Sequence, residues 1–211
     1  RDRERCLLYV EELFASEDRV LEELQRASSQ SGFPPISIDR TEGKLLQVLL
    51  RAVSANRVLE LGTLGGYSAV WMARALPENG LLITVELDPE RARLARRFLE
   101  RAELSDRVSV RVGSAIELLP GLVEEGPFDV VFIDADKENY PLYLDWCSTN
   151  VRAGGLVIAD NAFKKGQVLD SQTKDPGVLG IQSFNRRLAS DPQFTSIVVP
   201  MHDGIAIAVV N

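Results

Sequence analysis

The stretch FDVVFIDADKENY, residues 128–140, opens as a strand and breaks off in charge. Phe128 to Ile133 is a short apolar run, the pattern of a strand buried in a parallel sheet. Asp134, Asp136 and Lys137 follow at once. A second apolar run, Leu156 to Ala159, stops just as abruptly at Asp160-Asn161. Two strands that each end in oxygen donors, one of them beside a lysine, set the question of what those ends hold.

Outward from this stretch, strands and helices alternate. The pattern predicts strands at 57–61, 81–86, 107–112, 128–133 and 155–160, with helices at 66–76, 89–103, 114–119 and 139–150 between them. Pro120-Gly121 is expected to stop the third of these helices. Strands joined by crossover helices build a parallel sheet wrapped on both faces. After a helix near 178–189, the runs 195–200 and 204–210 are separated by only Met201 to Gly204. That is too short for a crossover, so the last two strands pair as an antiparallel hairpin. Ahead of the sheet, apolar residues at helical spacing fill 4–27, with a break at Ser16-Glu17-Asp18. SSQSGFPPIS, 28–37, reads as a loop, and a helix follows at 39–55. The expectation is an α/β fold: a doubly wound, mostly parallel seven-stranded sheet with a C-terminal antiparallel hairpin. Residues 1–211 read as one domain, a helical segment at 1–55 and a sheet core at 56–211.

Composition narrows the chemistry. The 211 residues are 45% hydrophobic and 26% charged, with a net charge of -7. Nucleic acid and acidic membranes are therefore disfavoured partners. No apolar run approaches the ~18 residues of a membrane span. The opening RDRERCLLYVEELF is charged and amphipathic, unlike a signal peptide. Cys6 and Cys147 fit no zinc motif or disulfide framework. A reducing cytoplasm is the expectation. His202 is the single histidine, which excludes a His-based triad and a multi-histidine metal site. Carboxylates, amides and lysine remain.

LELGTLGGYS, 59–68, is the turn after the first strand, where a doubly wound sheet faces its ligand. Gly62, Gly65 and Gly66 allow a close backbone approach. Leu64 stands where a dinucleotide fingerprint needs its second glycine, so that fingerprint fails. Glu60, just before the turn, suits a cationic ligand better than a pyrophosphate. Glu86 ends the second strand, where a carboxylate can accept both ribose hydroxyls. A ligand with a ribose, no pyrophosphate and a positive charge is S-adenosylmethionine. In a three-two-one-four-five strand order, strands four and five are neighbours, ~4.8 Å apart. Their ends then bring Asp134 close to Asp160 and Asn161. Two carboxylates and an amide oxygen suit a hard divalent cation such as Mg2+.

Taken in order, E-x-G-x-x-x-G-Y-S, an acid ending strand two, D-A-D-K and A-D-N resemble the cation-dependent O-methyltransferases of the caffeoyl-CoA and catechol type. The resemblance runs from about Pro35 to the C-terminus. It implies a Rossmann-like methyltransferase fold and an O-methyltransferase acting on a catechol-like small molecule with vicinal hydroxyls. It implies S-adenosylmethionine and Mg2+, or Mn2+ or Ca2+, as cofactors. Asp134, Asp160 and Asn161 would be the metal ligands and Lys137 the general base, with a residue that only orients the acceptor as the alternative for Lys137. Ile36, Ile38, Glu60, Gly62, Ser68, Glu86, Ala115, Asp134 and Tyr143 match cofactor-side positions; Tyr143 also reads as a core aromatic. Relatives commonly pair, so a homodimer is expected, with the N-terminal helices and last hairpin as its interface. One departure is visible: after A-D-N the run is Ala162-Phe163-Lys164-Lys165-Gly166, with lysine where tryptophan is expected. Lys164 and Lys165 could attract an anionic acceptor. The polar segment 163–177 reads as a mobile lid. A tRNA hydroxyuridine O-methyltransferase is the alternative, using Lys164, Lys165, Lys174, Arg186 and Arg187 as a basic patch. An NAD-dependent dehydrogenase and a non-catalytic adenosylmethionine-binding protein are further readings, opposed by the failed fingerprint and the intact motifs.

Overall fold

The structure, a computed structural model, describes residues 2–211, the side chain of Arg3 excepted. The helices are α1 (Asp2–Phe14), α2 (Arg19–Gln30), α3 (Arg40–Ala52), α4 (Tyr67–Ala73), α5 (Pro89–Arg101), α6 (Ala115–Leu122), α7 (Tyr140–Asn150) and α8 (Pro176–Ser190). The strands are β1 (Arg57–Leu61), β2 (Leu81–Glu86), β3 (Val108–Val112), β4 (Phe128–Ile133), β5 (Val151–Ala159), β6 (Phe194–Val199) and β7 (Ile205–Val210). Among the described residues the strands form one seven-stranded sheet in the order β3-β2-β1-β4-β5-β7-β6. β2–β3, β1–β4 and β4–β5 are parallel, whereas β5–β7 and β6–β7 are antiparallel. This is the expected sheet, with one addition: the hairpin enters in reverse, so that its second strand, not its first, pairs with β5.

The chain divides into two compact units, Arg1–Asn56 with Thr63–Val112, and Arg57–Gly62 with Gly113–Asn211. In the first, aspartates start three helices. Asp18 accepts the Leu21 N–H, Asp39 those of Thr41 and Glu42, and Asp88 that of Glu90, satisfying amides that the first turn of a helix leaves unpaired. Asp18 explains the break between α1 and α2. Leu21 and Leu24 of α2, Leu46 and Leu50 of α3, Ile83 and Val85 of β2, and Ala95 and Phe98 of α5 are buried. Truncating any of these leucines to alanine would cost ~2–5 kcal/mol.

In the second unit Phe128, Val130, Val131, Phe132 and Ile133 are all fully buried. With neighbours on both sides and cover on both faces, β4 has no polar alternation, as its sequence foretells. Two boundaries here differ from expectation by more than two residues. Helix α6 runs through Pro120 to Leu122 and gives way to a 3-10 turn at Val123–Glu125. Pro120 forgoes one backbone bond, a loss confined to the helix's end. β5 begins at Val151, four residues early, and runs through Gly154-Gly155. A side chain at Gly155 would meet the Asp129 carbonyl at 2.6 Å, so glycine is what lets β5 lie against β4 there.

Candidate active site

The register of β4 on β5 builds the centre of the site. Ile133 is paired with Ala159, so the next residues, Asp134 and Asp160, leave the sheet side by side. The Asp134 N–H still bonds the Leu61 carbonyl at 2.8 Å, and the Asp160 N–H the Ile133 carbonyl at 3.1 Å. Asp160 is only 5% exposed. Burial, and then the charge of Asp134, push its carboxyl up to about 7. Burial likewise raises Asp134, against the opposing pull of Lys137. Asn161 adopts a left-handed backbone, φ 59°, and turns back on its neighbour. Its N–H and Nδ2 both bond the Asp160 carboxylate, at 2.5 and 3.1 Å. That leaves the Asn161 amide oxygen as the donor atom for a cation. No group of three or more His, Cys, Asp and Glu suited to a metal gathers among the described residues. Two adjacent carboxylates, Asp160 raised in part by the charge of Asp134, joined by an amide oxygen, fit a hard divalent cation, which would relieve their repulsion.

Lys137 opens a 3-10 turn, Lys137–Asn139, directly after the cluster. Its Nζ lies 2.7 Å from Asp134 Oδ1 and 2.8 Å from the Tyr140 hydroxyl. Tyr140 is fully buried, and its O–H faces the carbonyls of Ile133 and Asp160, both at 3.1 Å. Burial and the four surrounding acidic groups hold its phenol far above its usual range. Tyr143, also fully buried, donates to Asp136 Oδ1 at 2.5 Å. Tyr140 and Asp136 are the residues that sequence reasoning passed over. The available signal was the spacing: Tyr140 lies three residues past Lys137, one turn on.

In the other unit the centre is Glu86, nearly buried at the end of β2. One carboxylate oxygen accepts the Leu64 N–H at 2.7 Å and the other the Asp88 N–H at 3.0 Å. Thr63 ties the glycine turn to β2 through its N–H on Val85 and its hydroxyl on Thr84, at 3.1 and 2.5 Å. Each turn glycine clears the protein's own atoms. A Cβ at Gly62 would sit 2.2 Å from the Asp134 carbonyl, at Gly65 2.6 Å from the Ser28 hydroxyl, and at Gly66 3.0 Å from Ala95. The glycines are thus demanded by packing, whatever ligand lies above them.

Of the remaining candidates, Glu60 is fully buried on β1, with its Cα opposite Phe132. Ser68 lies in the first turn of α4 and Ala115 opens α6, both buried. Ile36 and Ile38 part company: Ile38 is 6% exposed and Ile36 60%. The structure brings Asp134, Lys137, Asp160 and Asn161 together, with Gly62 against the Asp134 backbone. Lys164 borders the same group, because its Cε and the Lys137 Cβ approach one point beside Gly177. The segment read as a lid is tethered. Gln182 bonds the carbonyls of Val168 and Asp170 at 3.0 and 2.9 Å, and Asp203 holds the amides of Phe163 and Lys165 at 2.8 and 2.6 Å.

Comparison with known proteins agrees with this geometry. The O-methyltransferase family matches residues 11–210. A catechol O-methyltransferase of Niastella koreensis is 43% identical over 210 residues, covering 96% of this chain and 95% of that protein. The crystal structure of the O-methyltransferase from Bacillus cereus in complex with SAH superposes with a TM-score of 0.92 at 38% identity, covering 97% and 96% of the two chains. That of TomG from Streptomyces achromogenes, an O-methyltransferase involved in tomaymycin synthesis, in complex with SAM, gives 0.91 at 36%, covering 97% and 95%. The chain belongs to the O-methyltransferase family.

Proposed function

We propose that this enzyme transfers a methyl group from S-adenosylmethionine to one hydroxyl of a catechol-like small molecule, with a divalent cation held by Asp134, Asp160 and Asn161. The observation that carries the reading is the pair of raised carboxylates side by side at the ends of β4 and β5, with a lysine amine 2.7 Å from one of them. The Niastella relative, named for catechol, and the SAM and SAH complexes of the structural neighbours support it.

Bound adenosylmethionine supplies a methyl group on a positively charged sulfur, and a bound Mg2+, Mn2+ or Ca2+ supplies a Lewis acid that weakens the hold of a hydroxyl on its proton. The chain does the rest. Glu86 keeps a lone pair on each oxygen beyond those used by Leu64 and Asp88, enough to accept the two ribose hydroxyls. Glu60, Gly62, Ser68, Ala115, Asp134, Tyr143, Ile36 and Ile38 complete the proposed cofactor contacts. Lys137 Nζ receives the hydroxyl proton as the oxygen attacks. Holding acceptor and methyl in line contributes several kcal/mol on the general scale of effective molarity. We further propose a homodimer. Leu8, Tyr9, Leu13 and Phe14 of α1 are exposed large apolar groups, which a second copy would cover.

The test is a methyl-transfer assay on catechol. EDTA should abolish turnover and Mg2+ restore it, and Lys137→Met should lower kcat by about 10²–10⁴-fold, the range for a positioned acid–base group. Full activity in chelator would refute the metal, and a wild-type kcat for Lys137→Met would refute the base.

A further inference from the structure

Lys137 is held at both ends. Its backbone carbonyl is pressed by α8, where a Cβ at Gly180 would come within 2.2 Å of it. Its Nζ donates one N–H to Asp134 Oδ1 and one to the Tyr140 hydroxyl, at 2.7 and 2.8 Å. Nitrogen is tetrahedral. With Cε and two hydrogen bonds assigned, one valence remains, and its direction follows from the other three.

The Tyr140 oxygen can fix that direction because it is itself fixed. A phenol has one proton to donate. Here the O–H faces two carbonyls, of Ile133 and Asp160, so the oxygen meets Lys137 as an acceptor. Those carbonyls belong to the ends of β4 and β5, the same two positions that carry the carboxylates. The ring is wedged edge-on against Phe184, with centroids 5.4 Å apart, and packs near Tyr143 at 6.3 Å. Lys137 Nζ lies 4.9 Å from the centre of the Tyr140 ring, within cation–π range.

We propose that Tyr140 is a positioning residue for methyl transfer: anchored to the Ile133 and Asp160 carbonyls, its hydroxyl fixes the direction in which Lys137 Nζ presents its free valence to the acceptor. The effect on catalysis rests on the reading of Lys137 as the group that takes the hydroxyl proton. The competing role is a staple between two strand ends, which would act on stability and not through the lysine.

Two readouts separate these roles. The first uses metal-free, cofactor-free protein with 15N-labelled lysine and follows the Lys137 side chain by NMR. The wild-type amine should be distinctly restrained, and in Tyr140→Phe, which keeps the ring and loses the hydroxyl, it should move to the averaged values of exposed lysines. A wild-type Lys137 as mobile as a surface lysine, or a signal unchanged in Tyr140→Phe, overturns the clamp. The second is a double-mutant cycle in the methyl-transfer assay. Tyr140→Phe should lower kcat by about tenfold, with KM within about twofold. In the Lys137→Met background the same substitution should cost less than about twofold. An equal cost in both backgrounds makes Tyr140 a staple and overturns the proposal. A wild-type kcat for Lys137→Met sinks the proton-transfer reading, whereas an unchanged Lys137 spectrum sinks only the clamp.

Discussion

Glu86 and the Asp134–Asp160 pair stand at equivalent places, each at the C-terminal end of a parallel strand, yet their electrostatics are opposite. Glu86 has a peptide N–H on each oxygen, and its charge is satisfied by the protein alone. Asp160 is buried beside another carboxylate and is pushed up to about 7. Asp134 is raised too, despite Lys137. The first arrangement is a finished anion, ready to accept hydrogen bonds from neutral hydroxyls. The second is unfinished: it improves on gaining a proton or a cation. On the proposed reading, strand-end acids are divided between hydroxyl recognition and cation binding by what surrounds them.

The strongest way to break this contrast is Asp160→Ala. It removes a proposed ligand and no apolar core atom, so activity should fall by on the order of 10³-fold, the scale of losing a Lewis acid, while the thermal transition remains cooperative. Turnover near wild type in a steady-state assay would mean that the pair is not a metal site.

Stability against pH sharpens it next. A carboxyl whose folded pKa lies above its unfolded value holds its proton longer in the native state. Asp160 therefore favours folding at low pH, and that contribution is lost as pH rises from about 4 toward 7. A cation bound only by the folded, ionised form restores it. Mg2+ should raise the melting temperature more at pH 8 than at pH 5.5, as scanning calorimetry can check. An equal shift at both values would place the cation elsewhere.

Glu86→Ala probes the finished side. Cofactor binding should weaken by ~1.5–3 kcal/mol, the range for hydrogen bonds to a charged group, with cation affinity unchanged. Calorimetric titrations of each ligand would show whether the two sites separate as described. The smallest effect is expected at Lys164, beside Lys137 and Gly177. Lys164→Ala should raise KM by a few-fold for a catechol bearing a carboxylate and leave catechol itself unaffected, since a partly exposed ion pair contributes ~0.2–1 kcal/mol.

The placement of these acids at strand ends could be read from sequence because each strand announces its own end. The runs of β1, β2 and β4 stop at the residues where the structure stops them: Gly62 follows β1, Asp134 follows β4, and β2 ends in Glu86 itself, with Asp88-Pro89 just beyond. The parallel order then brings Asp134 beside Asp160 without further information. What escaped depends on partners distant in sequence. The reversed entry of β7 between β5 and β6 is a pairing choice that no local pattern encodes. The early start of β5 needs the Asp129 carbonyl against Gly155. The packing of Asp134, Ser28 and Ala95 against the turn glycines is a further demand for glycine that no local pattern shows. Tyr140 reads as one more core aromatic until its hydroxyl is seen between two carbonyls and a lysine.

The central claim is that the Asp134–Asp160 pair binds a divalent cation. The direct measurement is calorimetric titration of the metal-free protein with Mn2+, in buffers of different ionisation heat, at pH 6 and at pH 8.5. With Asp160 at about 7, the ion must displace a proton at pH 6 and none at pH 8.5. The account predicts one bound ion, proton release that vanishes at the higher pH, and loss of both in Asp160→Ala. Absence of binding, or binding that survives Asp160→Ala with the same proton release, would contradict it.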